Sequence, residues 1–492
     1  MRYKYFLKNL SIFTVSNFIT KLLLFFMLPL YTSVLTSEEY GTIDMITTTV
    51  NLAMPILTLC ITEAIIRFTI DENTNKKQIL SNAFDITIKG YIILLVISII
   101  AWIFGFELKI LVIFNVYYIV YTIATLLTYY LKGLERIKVI GWASVVRVIV
   151  LVLLNCLLLL HFRLSILGYY TSLIISEGIV ITIYIYNLKK HKVICNENVD
   201  PKLQKEMVGY SKNFILNSIS WWINNASDKY ILLLFYDLNI TGIYSVAYKI
   251  PTIIEFVQAI YSQAWQISAI KEYDKESSTE FFSNMYKIYN IIIIFSVCLI
   301  LVSLKFIAKI LFAKEFFGAW KYVPFLLLAI LFGALSGFLG SIYAANKDSK
   351  MYAKSTAIGA LSNIILNFIL IPRFEAQGAA IATCISYIIV WTLRLKFMKK
   401  YIVLNIDLKR DIISYSLILI ICLDIIFFSN LLAEIMAVNI LILLLFMYKK
   451  ELIDLFKSIR KDFKKWKKLE LWLGLHIIIM GQFCKCMRYL KR

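Results

Sequence analysis

Two lysines lie inside long apolar stretches of the chain, each with an asparagine four residues before it. Lys21 follows Asn17, and Lys229 follows Asn225. Four residues are close to one helical turn, so each Asn–Lys pair shares a helix face. A charge at the bilayer centre costs about 2.5 to 3.5 kcal/mol on insertion scales, so each lysine needs a reason to be there. Two ammonium groups and two amides facing one cavity would bind an anion such as a phosphate. The alternative is neutralisation by an acid such as Asp228, without any ligand.

Further polar side chains in apolar stretches extend this candidate site. One stretch predicts a helix with a polar stripe that includes Gln258 and Gln266, with Lys249 beside it. A polar stripe in a membrane helix either contacts a ligand or forms hydrogen bonds between helices. Arg147, about two turns inside its helix, either reaches the interface or binds the ligand. Trp222 either stacks on a sugar ring or packs against a neighbouring helix.

Acidic residues in apolar stretches are candidates for coupling to an ion, Na⁺ or H⁺. The candidates are Asp228, Glu255, Glu177 and Asp424. Asp44, in contrast, lies near a helix end and is expected to be solvated. The sequence has no P-loop for ATP, so an ion gradient or potential is the energy source we expect.

The sequence shows no catalytic or metal-binding motif. Its three His residues are scattered, neither HExxH nor GxSxG occurs, and the eight Cys have no metal-ligand spacing. We therefore predict no catalytic residues, no metal site and no cofactor.

Composition places these residues in a membrane protein. Of 492 residues, 60% are hydrophobic and only 17% are charged, whereas soluble domains are about half apolar and a quarter charged. The net charge of +21 comes from Lys and Arg between the apolar stretches. Their expected partner is the anionic inner leaflet rather than nucleic acid.

The apolar stretches predict membrane-spanning helices, since about 20 apolar residues cross a bilayer core of roughly 30 Å. We predict an all-α polytopic protein with about fourteen spans, at 10–35, 41–66, 83–105, 110–131, 141–161, 164–187, 211–235, 242–268, 284–304, 322–345, 352–371, 377–398, 411–429 and 431–448.

Lysine and arginine set the predicted orientation, because short loops rich in these residues face the cytoplasm. Loop 132–138 is basic, whereas loops 36–41 and 236–242 carry no basic residue. This pattern places both termini in the cytoplasm. Segment 305–321 carries four lysines, breaks the pattern and should lie outside. The tail 449–492 predicts a basic amphipathic helix on the inner leaflet.

The chain also contains an internal repeat. The two Asn–Lys pairs coincide at an offset of 208 residues, and Gly168 falls on Gly378 at an offset of 210. Two six-helix halves entering the membrane in the same sense suit alternating access around a central cavity. The predicted divisions are an N-terminal bundle, a cytoplasmic linker, a C-terminal bundle, two added helices and a tail, at 1–190, 191–210, 211–400, 401–448 and 449–492.

Several segments together resemble a known family over roughly residues 1–448. They are SNFITKLLLFFMLPLYTSVLTSEEYGTIDM, the IRF at 66–68, LKGLERIK, TGIYSVAYKIP and EAQGAAIAT. In this ordered set the chain resembles the Wzx-type O-antigen and capsule repeat-unit flippases of the multidrug/oligosaccharidyl-lipid/polysaccharide exporter (MOP) superfamily, which includes the MATE transporters.

The resemblance implies a flippase of the bacterial cytoplasmic membrane rather than an enzyme. Its substrate would be a polyprenyl-pyrophosphate-linked oligosaccharide, moved through a cationic central cavity in which Lys21 and Lys229 match basic positions. The expected partners are this substrate, membrane lipids, and the polysaccharide polymerase and chain-length machinery. The alternatives are an ion-coupled multidrug exporter of the same superfamily, and a membrane polysaccharide polymerase or glycosyltransferase.

Overall fold

The computed structural model describes most of the chain as helix. The described residues are 23, 25–71, 74–191, 197–256, 258, 261, 265, 278–345, 349–428, 431–454 and 457, and within them all regular structure is helical. The predicted tail helix therefore lies outside the described residues, apart from 449–454 and 457.

The first half of the described chain contains seven α-helices. They are α1 (Leu28–Val34), α2 (Ser37–Leu57), α3 (Ile61–Ile70), α4 (Lys76–Ile103), α5 (Leu108–Gly133), α6 (Ile137–Asn155) and α7 (Ser165–Lys190), with α6 continuing as a π-helical turn, Cys156–His161.

The second half continues the numbering. Its α-helices are α8 (Pro201–Ser211), α9 (Ile215–Phe235), α10 (Leu238–Ala247), α11 (Ser278–Val302), α12 (Leu304–Leu311), α13 (Val323–Ala345), α14 (Ser349–Met398), α15 (Leu408–Phe427) and α16 (Leu431–Met447), and 3₁₀ turns occupy Lys212–Phe214 and Lys314–Lys321.

Seven of the described helices are long and apolar enough to cross a membrane. They are α4, α5, α6 with its π-helical turn, α7, α11, α13 and α14, and the bent pair α2–α3 would make an eighth. The chain is thus an all-helical polytopic membrane protein, and the count of fourteen spans remains a prediction.

The stretch 41–66, predicted as one helix, is broken in two. α2 contains Pro55, and Leu59 and Cys60 both have φ of 53°, so α3 leaves α2 at an angle of 56°. Proline removes a backbone hydrogen bond from the helix, and left-handed residues cannot continue it. The prediction of a single helix here was wrong, because the left-handed positions are not glycines and carry no sequence signal.

Local sequence explains where α2 begins. The Thr36 side chain accepts a hydrogen bond from the Glu39 amide, and the Glu39 side chain accepts one from the Thr36 amide. This capping box satisfies amide groups that have no partner within the helix.

The described helices form two units by their contacts. The first contains α1 to α10 and α12 to α14, and the second contains α11, α15 and α16. One core of the first unit joins α3, α4, α5, α7 and α8 through the buried side chains Ile65, Ala83, Leu127, Tyr184 and Met207. The predicted linker 191–210 therefore contains a helix that is packed into this core.

The second unit is joined by polar contacts as well as apolar ones. Tyr448 donates a hydrogen bond to Asp411 at 3.1 Å, and its hydroxyl lies 3.0 Å from that of Ser414. Tyr415 donates to Asn290 of α11 at 2.9 Å. These contacts hold α11, α15 and the end of α16 together.

Candidate binding cavity

A cavity of about 720 Å³ lies inside the first unit, between α2, α3, α5 and α9. Its wall is mostly polar, with hydroxyl and amide side chains from Thr47, Thr48, Asn51, Thr62, Thr125, Asn217, Ser218 and Asn225. Aromatic side chains from Tyr121, Tyr129, Phe214 and Trp222 complete much of the remainder. Such a wall can donate and accept many hydrogen bonds and can stack on flat apolar faces.

Lys229 lines this cavity and forms an ion pair. Its Nζ lies 2.7 Å from Asp44 Oδ2, and both side chains are 12% exposed. The Ser245 hydroxyl donates to the same oxygen at 2.9 Å. The expectation that Asp44 is solvated was therefore wrong, since it neutralises a lysine 185 residues away. Lys229 is paired with an acid in this structure, and Asp44 rather than Asp228 is the partner.

Asp228 has its own set of donors. Its Oδ1 accepts from the Lys229 backbone amide at 2.9 Å, and its Oδ2 accepts from the hydroxyls of Tyr244 at 2.8 Å and Tyr248 at 3.1 Å. The carboxylate is 2% exposed. A buried acid with three donors is structurally satisfied.

Lys249 is the second lysine of the cavity wall. It acts electrostatically on Asp44, and no described carboxylate lies within ion-pair distance of it. The described lining carries two lysines, Lys229 and Lys249, and two acids, Asp44 and Glu63. The family resemblance implied a cationic cavity; the charges of this described lining sum to zero, and Lys21 lies outside the described residues.

Arg147 of α6 and Glu177 of α7 form a second ion pair, in which the carboxylate is buried and the guanidinium is partly exposed. Arg147 Nη1 donates to Glu177 Oε1, and the side chains are 28% and 6% exposed. Both groups act electrostatically on Tyr121. Tyr121 lines the cavity, whereas Arg147 and Glu177 do not. The structure therefore brings together an arginine and an acid to which the sequence assigned separate roles.

The other sequence candidates fall in different places. Trp222 lines the cavity, and its indole N–H donates to the Thr48 carbonyl at 3.0 Å. Asn225 lines it as well. Gln258 lies instead beside α13, where its Nε2 approaches Gly337. Glu255 is exposed, with contacts of its own.

Three further candidates, Asn17, Lys21 and Gln266, lie outside the described residues. Asp424 belongs to the second unit, where its side chain is buried.

Asp44 and Glu63 are the charged residues of the described lining that the sequence analysis did not name as site candidates. Both lie within the apolar stretch 41–66, so the cost of burying a carboxylate was the available signal. What the sequence could not provide was the partner, because Lys229 lies on a distant helix.

A close helix crossing lies next to one end of the cavity. The cavity lining on α2 begins at Asp44, three residues after Gly41. There α2 meets α10 so closely that a Cβ on Gly41 would lie 2.2 Å from the Leu238 carbonyl oxygen, and one on Gly242 would lie 1.9 Å from that of Ser37. Side chains reinforce the contact, since Ser37 Oγ donates to Asn239 Oδ1 at 2.9 Å.

Together, the fold and the cavity define a polytopic all-α membrane protein with an internal polar binding space. Residues 6–266, more than half of the chain, match the family model described as polysaccharide biosynthesis protein. The chain belongs to this family, as the resemblance in its sequence indicated.

Curated relatives match part of the chain. The probable low-salt glycan biosynthesis flippase Agl15 of Haloferax volcanii is 26% identical over 204 residues, covering 41% of this chain and 43% of the relative. The uncharacterized membrane protein MJ1068 of Methanocaldococcus jannaschii is 24% identical over 247 residues, covering 46% and 47%. The chain therefore spans less than half the length of these curated relatives.

Solved structures show the same fold over most of the chain. The lipid II flippase MurJ, in an inward closed conformation, superposes with a TM-score of 0.66 at 14% identity, covering 90% of this chain and 99% of that one. A multidrug resistance MATE family transporter of the MOP superfamily, in an inward-facing conformation, gives 0.61 at 12% identity, covering 77% and 95%. These likenesses confirm the predicted all-α, MATE-like fold.

Proposed function

We propose that the protein is a flippase that moves polyprenyl-pyrophosphate-linked oligosaccharide units across the bacterial cytoplasmic membrane for surface polysaccharide synthesis. The observation that carries this proposal is a polar cavity of about 720 Å³ with two lysines, inside a membrane bundle of the polysaccharide biosynthesis family. A diphosphate and a sugar chain cannot cross hydrocarbon unaided, because their polar groups would lose water without gaining partners. The lipid tail is apolar and can remain in the hydrocarbon of the bilayer.

The wall of the cavity suits the two parts of this head group. Lys229 and Lys249 would hold the diphosphate as point charges. The hydroxyl and amide side chains would bind sugar hydroxyls, and Trp222 would stack on a sugar ring. Lys21 and Asn17 stay in the proposal as the repeat partners of Lys229 and Asn225.

Movement would follow alternating access between two six-helix halves. The protein would supply a binding site and two accessible states, without forming or breaking a covalent bond. An ion gradient, Na⁺ or H⁺, or the membrane potential would bias the direction. Both termini would be cytoplasmic, and the polysaccharide polymerase and chain-length machinery would use the product.

The leaflet on which the lipid-linked glycan accumulates tests this proposal. In cells depleted of the protein, we expect complete units trapped on the inner leaflet. Truncated units would instead indicate a glycosyltransferase, and complete unpolymerised units outside would indicate a polymerase. An unchanged glycan pool would contradict a role in this glycan pathway.

The cavity lysines give a direct test of the site. In depleted cells, the Lys229→Ala/Lys249→Ala variant should restore less than about a tenth of wild-type export, because loss of two charge-assisted hydrogen bonds weakens anion binding by tenfold or more. The matched control, Lys189→Ala/Lys190→Ala, removes two exposed lysines at the end of α7 and should restore export fully. Full export by the cavity variant at normal abundance would remove this site assignment.

A multidrug exporter is the second candidate, and one observation favours it. Glu63 lines the cavity, and no described lysine or arginine lies within ion-pair distance of it. A cavity carboxylate that no lysine or arginine neutralises in this way would bind a cationic drug. Export of a cationic dye by the purified, reconstituted chain, lost in Glu63→Gln and kept in Lys229→Ala, would support this alternative.

A further inference from the structure

Asp44 occupies the place that an anionic ligand of Lys229 would take. We propose that Asp44 is an internal counter-ion, which holds the lysine site of the cavity while no substrate is bound and is displaced by the substrate's diphosphate. This inference rests on the proposed function and adds to it a residue that competes with the substrate.

The donors around Asp44 are those that a phosphate oxygen needs. One carboxylate oxygen, Oδ2, receives both the Lys229 ammonium at 2.7 Å and the Ser245 hydroxyl at 2.9 Å. These donors come from α9 and from α10, whereas Asp44 comes from α2. An anionic oxygen in the place of Oδ2 would therefore find two preformed donors and the nearby charge of Lys249.

The charges of the site favour displacement of Asp44 by the diphosphate over binding of the diphosphate beside Asp44. Asp44, Lys229 and Lys249 together carry one positive charge, and the two lysines alone carry two, which matches a diphosphate better. An unpaired ammonium at 12% exposure would be costly, so Asp44 stabilises Lys229 in the empty cavity. When a diphosphate takes its place, one ion pair replaces another and no additional lysine charge must be buried.

The exchange also separates two helices that the ion pair connects. Asp44 lies three residues after Gly41, at the crossing of α2 with α10, and Lys229 lies on α9. If a ligand can bind Lys229 only after Asp44 has left, binding stabilises those conformations in which α2 no longer forms the Asp44–Lys229 ion pair with α9. Binding can shift the conformational equilibrium only through such a difference in affinity.

Binding of inorganic pyrophosphate to the purified full-length protein in detergent, measured by calorimetry at fixed low ionic strength, tests the inference. Asp44→Asn should bind pyrophosphate about tenfold or more tightly than wild type, as expected for releasing one charge-assisted hydrogen bond. Lys229→Gln should bind more weakly, and the double variant should lose the gain. Glu38→Gln removes an exposed acid of α2 outside the cavity lining and should leave the affinity unchanged.

A second variant protects the test against a folding defect in Asp44→Asn. Asp44→Ser also removes the carboxylate, leaves a small polar side chain in its place and keeps both donors, Lys229 and Ser245, so a similar gain in pyrophosphate affinity is expected. If neither variant binds more tightly than wild type, or if the gain persists without Lys229, the internal counter-ion is wrong.

The two proposals fail separately. A gain in Asp44→Asn with an unchanged glycan pool in depleted cells would keep the counter-ion and remove the flippase. Trapped glycan in depleted cells, without any gain in pyrophosphate affinity, would keep the flippase and remove the counter-ion.

Discussion

Three cations with little exposure in the first unit are stabilised in two ways, by a carboxylate or by uncharged acceptors. Lys229 pairs with Asp44, and Arg147 pairs with Glu177. Arg394, only 5% exposed, donates instead to the hydroxyls of Ser355 and Thr356 and to the Ser336 carbonyl, and it stacks on Tyr352 with 4.3 Å between its Cζ and the ring centroid. In each case, close and well-oriented hydrogen-bond or ion-pair partners offset the free energy of removing the charge from water.

Removing one member of the Arg147–Glu177 pair should destabilise the protein strongly. Arg147→Gln leaves the Glu177 carboxylate buried without its cation, which typically costs about 3 to 5 kcal/mol. The double variant Arg147→Gln/Glu177→Gln leaves no lone charge and should recover most of that loss. Denaturant unfolding in detergent measures both, with exposed Lys189→Gln as the control. A double variant no more stable than Arg147→Gln would mean that the pair is not the cause.

At this scale the sequence predicted which residues need a partner, but not which partner they have. Lys229 and Asn225 were placed on one face from their spacing, and both line the cavity. Asp44 was misjudged, because its depth depends on how α10 covers the start of α2. That packing brings together residues about 200 positions apart, which a local pattern cannot show.

Glycine determines how closely the elements α2 and α10 approach. In Gly41→Ala or Gly242→Ala, the new Cβ would meet a backbone carbonyl oxygen at 2.2 or 1.9 Å, which no side-chain rotation can relieve. The helices would have to separate, at a cost of about 1 to 3 kcal/mol for such overpacking. We expect a lower midpoint of thermal unfolding in either variant.

Gly178→Ala provides the matched control for this crossing. Gly178 also lies in a helix, α7, but a Cβ there would have no neighbour within 4 Å. The substitution should leave the unfolding midpoint unchanged or raise it, because alanine favours helix more than glycine does. Equal losses in all three variants would show that the crossing is not the reason for the loss.

Helix positions were predicted well where hydrophobicity alone decides them. The runs 352–371 and 377–398 correspond to the two parts of α14, which meet at Glu375 with φ of 51°. Ser165, its equivalent at the repeat offset of 210, has φ of 52°. Neither residue is a glycine, so the left-handed conformation comes from the packing of the flanking helices and not from local propensity.

Tertiary contacts in the whole molecule account for the basic segment 305–321, which departs from the charge pattern. The Ser37 amide donates to Glu315 at 2.5 Å, and the Thr32 hydroxyl donates to the Leu311 carbonyl at 2.9 Å. The segment therefore lies beside the start of α2, which is the side on which the predicted fourteen spans would place it. In α12, Lys305 and Lys309 adjoin exposed Phe306 and Ile310, a mixture of basic and apolar residues typical of interfacial helices, and Lys305 Nζ lies 5.7 Å from the centroid of the Trp320 ring. A short helix at the membrane interface can carry lysines even on the outer side, where the positive-inside rule does not expect them.

Cysteine labelling of intact cells tests this topology as a whole. A membrane-impermeant maleimide should label Glu38→Cys and Lys314→Cys directly, because the contact of Glu315 with Ser37 keeps both positions on one side. Glu135→Cys, in the basic loop 132–138, should react only after the membrane is permeabilised. All three positions are exposed, so the side of the membrane on which each lies, and not its burial, decides whether it reacts. The unsubstituted protein gives the background labelling of the native cysteines. If Lys314→Cys reacted together with Glu135→Cys instead, residues 36–41 and segment 305–321 would lie on opposite sides, and the proposed arrangement of two six-helix halves would have to be abandoned.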